Sequence, residues 1–285
     1  MRSETPTLNK NNEEVLTNSL KDNIESLKDY LRHTEDLVIK IIEKKDQIFA
    51  ILFLETMIKL ESLQMFIIEP LLNETTNESG KIVKSYEMKN TVKVSEIGDS
   101  LLDGFCLILE ENNSTGILAA ASDDKGRSIQ EPANEQNISG AHDGFVENIG
   151  TNIQLLRKRI RTSDFKVKYF TIGTITKTKV AMVYIDSLAN KKLVEVIEER
   201  ISSIQLESLQ TTGNLEELIE DNTFSPSPQV LNTERPDRAV SYLLDGKINL
   251  LIDGNPKASV VPITFFSFYQ SPDDYNHRWL IGSFF

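Results

Sequence analysis

Cysteine is almost missing from this chain: Cys106 is the only one in 285 residues. A single thiol excludes an intramolecular disulfide framework and a thiolate zinc cluster. It lies in the apolar run Phe105–Leu109, where a thiol packs as a small hydrophobe. Basic charge is also in deficit. With 31 Lys and Arg against 43 Asp and Glu, the net charge is −12. Nucleic acid and polybasic membrane-surface binding both need the opposite sign. Histidine is limited to His33, His142 and His277, too scattered for metal-ligand spacing. No glycine-rich phosphate loop occurs, so neither a metal nor another cofactor is expected. Long apolar runs are missing as well. Ile48–Leu54 ends at Glu55, far short of the roughly 20 residues that span a bilayer, and reads as a buried strand. Met1–Glu14 holds no apolar core of a leader, so no signal peptide is expected.

What is present suffices for two domains. Hydrophobic residues make up 39% and charged residues 26% of the chain, an ordinary globular balance that supplies a sizeable core at this length. Residues 1–14 are polar and read as a disordered tail. From Val15 to Leu31 apolar residues recur every three or four positions, which predicts a helix. Asp36–Ile42 and Gln47–Leu54 predict a hairpin. Leu60–Leu72 returns to helical spacing and should end near Pro70. Ser95–Leu102 predicts a short helix capped by Ser95 and closed by Leu101–Gly104, whose glycine suits a left-handed exit. Phe105–Glu110 and Gly116–Ala121 form a second hairpin. Residues 122–144 are polar and read as a linker.

The order of elements then repeats. Asn152 lies 129 positions after Asn23 and is expected to open a helix; Ala181 lies 131 after Ala50, and Leu243 lies 142 after Leu101. Phe165–Gly173 with Lys177–Ile185, Leu193–Ile204, Pro236–Leu244, and Lys247–Ile252 with Ala258–Ile263 restate the series, and Asp253–Gly254 supplies the last turn. Slowly rising offsets predict a duplicated helix–hairpin–helix–hairpin module with mixed sheets. The fold class is therefore α/β with two subdomains, 15–121 and 145–264, and an insertion in the second copy between 186 and 243.

One motif invites an enzymatic reading. Gly98–Asp99–Ser100–Leu101, with Asp274 and His277 late in the chain, resembles the first and last blocks of GDSL-type serine hydrolases, an activated-serine arrangement. Leu101–Gly104 has its twin at Leu243–Gly246, however, so a helix exit explains the motif better. No catalytic residue is assigned and a non-enzyme is expected.

Thr233–Glu234–Arg235–Pro236–Asp237–Arg238 packs four charges and a proline into six residues and has no twin in sequence. Capping by Thr233, Pro236 in a first turn, Asp237 at the positive dipole end and a Glu234–Arg238 pair explain every member but Arg235. The tail 265–285 carries eight of the 13 Phe, 7 Tyr and single Trp, which fits an approach to a membrane interface.

Several strings together resemble the A subunits of GerA-type spore germinant receptors. These are Phe224–Gln229, Asn232–Arg238, Leu243–Gly246, Asp253–Pro256 and Gln270–Tyr275, with Asp143–Asn148, Leu156–Ile160, Thr176–Val180 and Glu216–Asp221 upstream. The match is dense over 143–285 and looser over 15–121. One stretch departs: the family's Gly-Pro-Arg-Glu-Gly-Phe stands here as Gly140–Ala141–His142–Asp143–Gly144–Phe145. The resemblance implies the N-terminal domain of a receptor subunit that works with B and C subunits in the inner spore membrane, joined to its own transmembrane domain and placed on the core side. It leaves room for a homo-oligomer, and for a small-molecule nutrient bound in a cleft between the subdomains. Two sets of residues are singled out as candidates. Thr233, Glu234, Arg235, Pro236, Asp237 and Arg238 are a coupling or interaction device. Asp143, Gly144, Phe145 and Arg157 are a subdomain junction.

Overall fold

The structure is a computed structural model that describes residues 14–44, 47–73, 87–121, 143–209, 215 and 230–263. The chain divides into two compact units. Unit 1 holds 1–31 and 37–123; unit 2 holds 124–285 together with a short segment, Arg32–Asp36.

In unit 1, helix α1 (Leu20–Tyr30) precedes the hairpin β1 (Leu37–Lys44) and β2 (Gln47–Leu54). A helical stretch, α2, then runs as α-helix over Leu60–Leu63, π-helix over Gln64–Ile68 and α-helix over Glu69–Asn73. Next come β3 (Met88–Thr91), α3 (Val94–Leu102), β4 (Phe105–Glu110) and β5 (Gly116–Ala120). Unit 2 repeats the series as α4 (Ile149–Arg159), β6 (Phe165–Ile172), β7 (Thr178–Ile185), α5 (Lys191–Ser203), β8 (Leu231–Thr233), α6 (Pro236–Leu244), β9 (Ile248–Ile252) and β10 (Ala258–Val261). The five-stranded sheets have matching orders, β1-β2-β4-β5-β3 and β6-β7-β9-β10-β8.

Each sheet is covered on both faces, which is why its inner strands are apolar without alternation. In unit 1, Leu27, Ile97 and Leu101 of α1 and α3 pack on Ala50, Leu52, Leu107 and Leu118. Leu63, Ile67 and Leu71 of α2 cover the other face, against Phe49, Ile51, Phe53 and Cys106. Burial there pushes the Cys106 thiol up to about 12, so it stays a neutral core residue. Unit 2 does the same with Ile153, Leu156, Ala239 and Leu243 on one face and Val194, Ile197 and Ile201 on the other.

Several expectations need correction. The sheets are antiparallel at every pair rather than mixed, because hairpins and a returning short strand bring each neighbour back in the opposite direction. The short edge strands β3 and β8 were not foreseen; four and three residues carry too little pattern. Helix α1 begins only at Leu20, since Val15 forms an isolated bridge with Lys93 in an extended lead-in. Pro70 does not end α2. The π-helical turn ahead of it bonds five residues back, Glu69 N–H to the Gln64 carbonyl, and the helix runs on to Asn73 through a residue that has no N–H to place. Ser95 does not cap α3. The cap position is Lys93, whose N–H donates to Thr91 Oγ1 at 3.3 Å. Asn152 does not open α4; Asn148 is its cap. Residues 122–142 of the linker expected over 122–144, and the aromatic tail 265–285, lie outside the described residues.

The duplication extends to polar detail. Asn23 bridges the backbone of Thr17 by a pair of bonds, accepting from its N–H at 2.7 Å and donating to its carbonyl at 2.8 Å. Asn152 bridges Val146 in the same way, at 2.8 and 2.6 Å. Ser19 and Asn148 cap the two helices through the N–H three residues on. Gly104 and Gly246 both leave their helices at positive φ, +85° and +75°.

Candidate functional site

Gly98–Leu101 is part of α3 and is explained by packing. A Cβ at Gly98 would fall 2.1 Å from the Tyr30 ring, so glycine is needed for α1 to lie across α3. Ser100 Oγ donates to the Glu96 carbonyl at 2.7 Å, within its own helix. Asp274 and His277 lie outside the described residues.

The hexapeptide is the passage from β8 into α6. Arg235 is the cap position, Pro236 the first helical residue, and Asp237 the acid of the first turn. Thr233 does not cap α6 directly; its Oγ1 accepts from Arg235 N–H at 3.1 Å. In backbone terms the stretch does have a twin, because Thr91–Lys93–Val94 leads into α3 with the same hydroxyl bond and the same uncapped extended residue. The side chains part company. Lys93 is 54% exposed and meets Glu96 at 3.5 Å. The Arg235 side chain is 2% exposed and binds Asp237 by two bonds, Nε to Oδ1 at 3.1 Å and Nη2 to Oδ2 at 2.5 Å. A two-point guanidinium–carboxylate pair is the geometry that arginine, unlike lysine, can make. Thr233, Glu234, Pro236 and Arg238 are buried too, and Asp237 is half-buried. Glu234 lies 3.7 Å from Lys257.

Of the junction candidates, Phe145 meets this stretch. Phe145 N–H donates to the Glu234 carbonyl at 2.8 Å, the twin of Leu16 N–H on Val92 at 2.7 Å. In unit 1 a second bond follows, Val94 N–H to Glu14 at 3.0 Å. Pro236 replaces that donor in unit 2. There Asp143, the counterpart of Glu14, turns its carboxylate to Arg159 at 2.5 Å. Gly144 and Phe145 are buried beside it.

Asp237 feels both arginines. Burial pushes its carboxyl up, but hydrogen bonds and charge from Arg235, the Arg238 N–H and the charge of Arg159 outweigh it and hold it below its ordinary 3.8. A depressed carboxylate stabilises the fold above its unfolded value, and that contribution is lost as pH falls through the lower folded value. Asp237→Asn should therefore shift the urea midpoint at neutral pH, and the difference from wild type should close below about pH 3.8. A difference independent of pH would mean that packing, not charge, carries the effect. Each carboxylate here is engaged by a basic group, so the cluster is built for ion pairing rather than metal ligation.

Arg157 is not part of that cluster. It points to Arg32–Asp36, where Nε donates to Asp36 Oδ2 at 2.8 Å and Nη2 to Asp36 Oδ1 at 2.7 Å and to Thr34 Oγ1 at 3.1 Å. Both ionic side chains are sealed, at 1% and 0% exposure. The Phe165 ring lies 4.6 Å from the guanidinium carbon, a cation–π contact. The segment also covers the open edge of β6. Val167 N–H donates to Thr34 Oγ1 at 3.0 Å, Glu35 N–H to the Val167 carbonyl at 3.0 Å, and Tyr169 N–H to Glu35 Oε2 at 2.6 Å. Arg32 Nε adds a bond to Asp164 at 2.8 Å. Thr34, Glu35 and Asp36 were not singled out in the sequence. Their partners are over a hundred residues away, and an acid heading a β-branched run was the only local sign.

Residues 25–285 match the family model described as Bacillus/Clostridium GerA spore germination protein. Spore germination protein B1 of Bacillus subtilis is 32% identical over 276 residues, covering 93% of this chain and 57% of that protein. Spore germination protein A1 of the same species is 38% identical over 185 residues, covering 65% and 38%. The crystal structure of the N-terminal domain of the A subunit of the Bacillus megaterium spore germinant receptor GerK3 superposes with a TM-score of 0.68 at 27% identity, covering 88% of this chain and 97% of that one. The chain spans between about two fifths and little more than half of the length of the relatives it matches, and no helix among its described residues is long and apolar enough to cross a membrane. With the family model covering most of its length and the same two-sheet fold in a receptor subunit domain, the chain belongs to the GerA spore germination protein family.

Proposed function

We propose that the chain is the N-terminal part of a germinant receptor A subunit. In this reading it transmits the germinant signal within a membrane complex that includes B and C subunits and the chain's own transmembrane domain. The complex sits in the inner spore membrane, with this domain on the core side. The observation that supports transmission is the connectivity of Arg32–Asp36. Its two covalent neighbours, Leu31 and Leu37, belong to unit 1, while its buried bonds belong to unit 2. A shift at Arg157 would thus be passed along the backbone to α1 and β1. The hexapeptide fits the same role as a buried hinge rather than a contact surface, since Asp237 is its only half-buried member.

The test is Arg235→Lys in the full-length receptor. Lysine keeps the charge but cannot make the two-point bond to Asp237. Germination should be delayed severalfold, with the receptor present at its normal level and the domain folded. Unaltered germination from such spores would sink the hinge role. Nutrient binding between the subdomains is the competing reading, and a saturable thermal shift of the chain with amino acids, sugars or nucleosides would favour it.

A further inference from the structure

The internal duplication makes each unit a control for the other, and the two sheet edges differ. β6 is the edge of the second sheet, and its outward groups at Val167 and Tyr169 are taken up by Thr34 and Glu35. β1 is the matching edge of the first sheet. Its register on β2 repeats that of β6 on β7: Ile39 faces Leu52 as Val167 faces Val183. Ile39 and Ile41 therefore hold the outward positions of Val167 and Tyr169. No hydrogen bond from another described segment reaches the outward side of either residue. An eight-residue strand with an open row of donors and acceptors is a template for another strand.

The side chains differ in the same sense. In unit 2 the Lys179 ammonium sits 3.9 Å from the centre of the Tyr169 ring. The twin pair in unit 1 is Ile41 and Ile48, left 52% and 39% exposed. We infer that the β1 edge is a docking site for an extended segment of another protein, added as a further strand. Such a segment would place acceptors on the Ile39 and Ile41 N–H groups, a donor on the Ile39 carbonyl, and an apolar side chain over Ile41 and Ile48. Strand addition of this kind draws affinity from main-chain bonds and selectivity from alternate side-chain positions. The occupied edge shows the chemistry that suits it: a hydroxyl residue followed by an acid. A second copy of this chain is the poorer occupant, because the counterpart of Thr34–Asp36 is engaged at home. Thr162 accepts from Phe165 N–H at 3.3 Å and from Asp164 N–H at 3.3 Å, and Asp164 accepts from Asp186 N–H at 2.8 Å.

The test uses the 285-residue chain and a synthetic peptide, Leu-Arg-His-Thr-Glu-Asp-Leu, copying residues 31–37. Amide exchange at Ile39 and Ile41 should be fast in the chain alone and slow about tenfold with peptide in excess. The variant Ile41→Pro removes an outward N–H that the ladder with β2 does not use. It should keep the wild-type thermal midpoint and lose protection at Ile39. A peptide with Val for Thr and Gln for Glu should protect less. Three results would overturn the inference. Protection of Ile39 and Ile41 without peptide means that this chain covers its own edge. Protection that rises with protein concentration means that a second copy does. No protection by peptide means that the edge does not accept a strand.

Discussion

Arg157→Ala is expected to lower unfolding stability by about 3–5 kcal/mol, the usual cost of stranding one member of a buried ion pair. Asp36 is fully buried and takes two bonds from this guanidinium. Without Arg157 its carboxylate stays buried and loses both. Thr34 loses a donor at the same time, and the contact with the Phe165 ring disappears. The measurement is urea unfolding of the single and double variants. Asp36→Ala alone should also be costly, because it leaves the guanidinium buried. The double variant should be much less unstable than the sum of the two. Simple additivity would show that the pair is not coupled and that the arginine matters only as bulk. Because the segment is also the cover of the β6 edge, the single variant should speed amide exchange at Val167 and Tyr169 beyond its effect on the rest of unit 2.

The second expected result concerns the twin asparagines. Asn152→Ala should cost about 2–4 kcal/mol, since it removes two bonds at a fully buried position and leaves the Val146 donor and acceptor to find new partners. Asn23→Ala should cost a similar amount, because Asn23 makes the same two bonds to Thr17 at equal burial. Leucine would be no better than alanine at either site, since the loss lies in the backbone bonds and not in volume. A negligible cost at one asparagine with a large cost at the other would mean that the lead-in holds only one of the two units. The bridge sets where the extended lead-in stops and the helix begins, so it also positions Leu16 and Phe145 for their bonds to the strand that enters α3 or α6.

Periodicity and turn chemistry were enough for the long elements. The alternating and continuous apolar runs of β1, β2, β6 and β7, the stripe of α5 and the glycine exits at Gly104 and Gly246 all rest on local preference. The repeat was visible through three spaced matches, and the polar bridges of Asn23 and Asn152 show why one of them was kept to the residue. Strands β3 and β8 were not legible, because so few residues form a strand only when a neighbour supplies the ladder. The starts of α1 and α4 were misplaced by a few residues, because an extended lead-in bridged by a buried asparagine precedes each, and the caps of α3 and α6 were misassigned for a related reason. Lys93 and Arg235 cap nothing with their side chains, and a threonine two residues earlier takes the bond instead.

The sequence by itself determined the class, the doubling of the module and the family, because these follow from local pattern and from residue strings. Only the tertiary structure decided what the charges do. It buried Arg235 against Asp237 where its twin Lys93 stays in solvent, and it sent Arg157 away from the hexapeptide to Asp36. It also closed the β6 edge with Thr34 and Glu35, whereas no bond from another described segment reaches the outward side of Ile39 and Ile41 in β1. A charge has no address in a linear pattern; whether it is paired, buried or solvated depends on which distant element is folded against it.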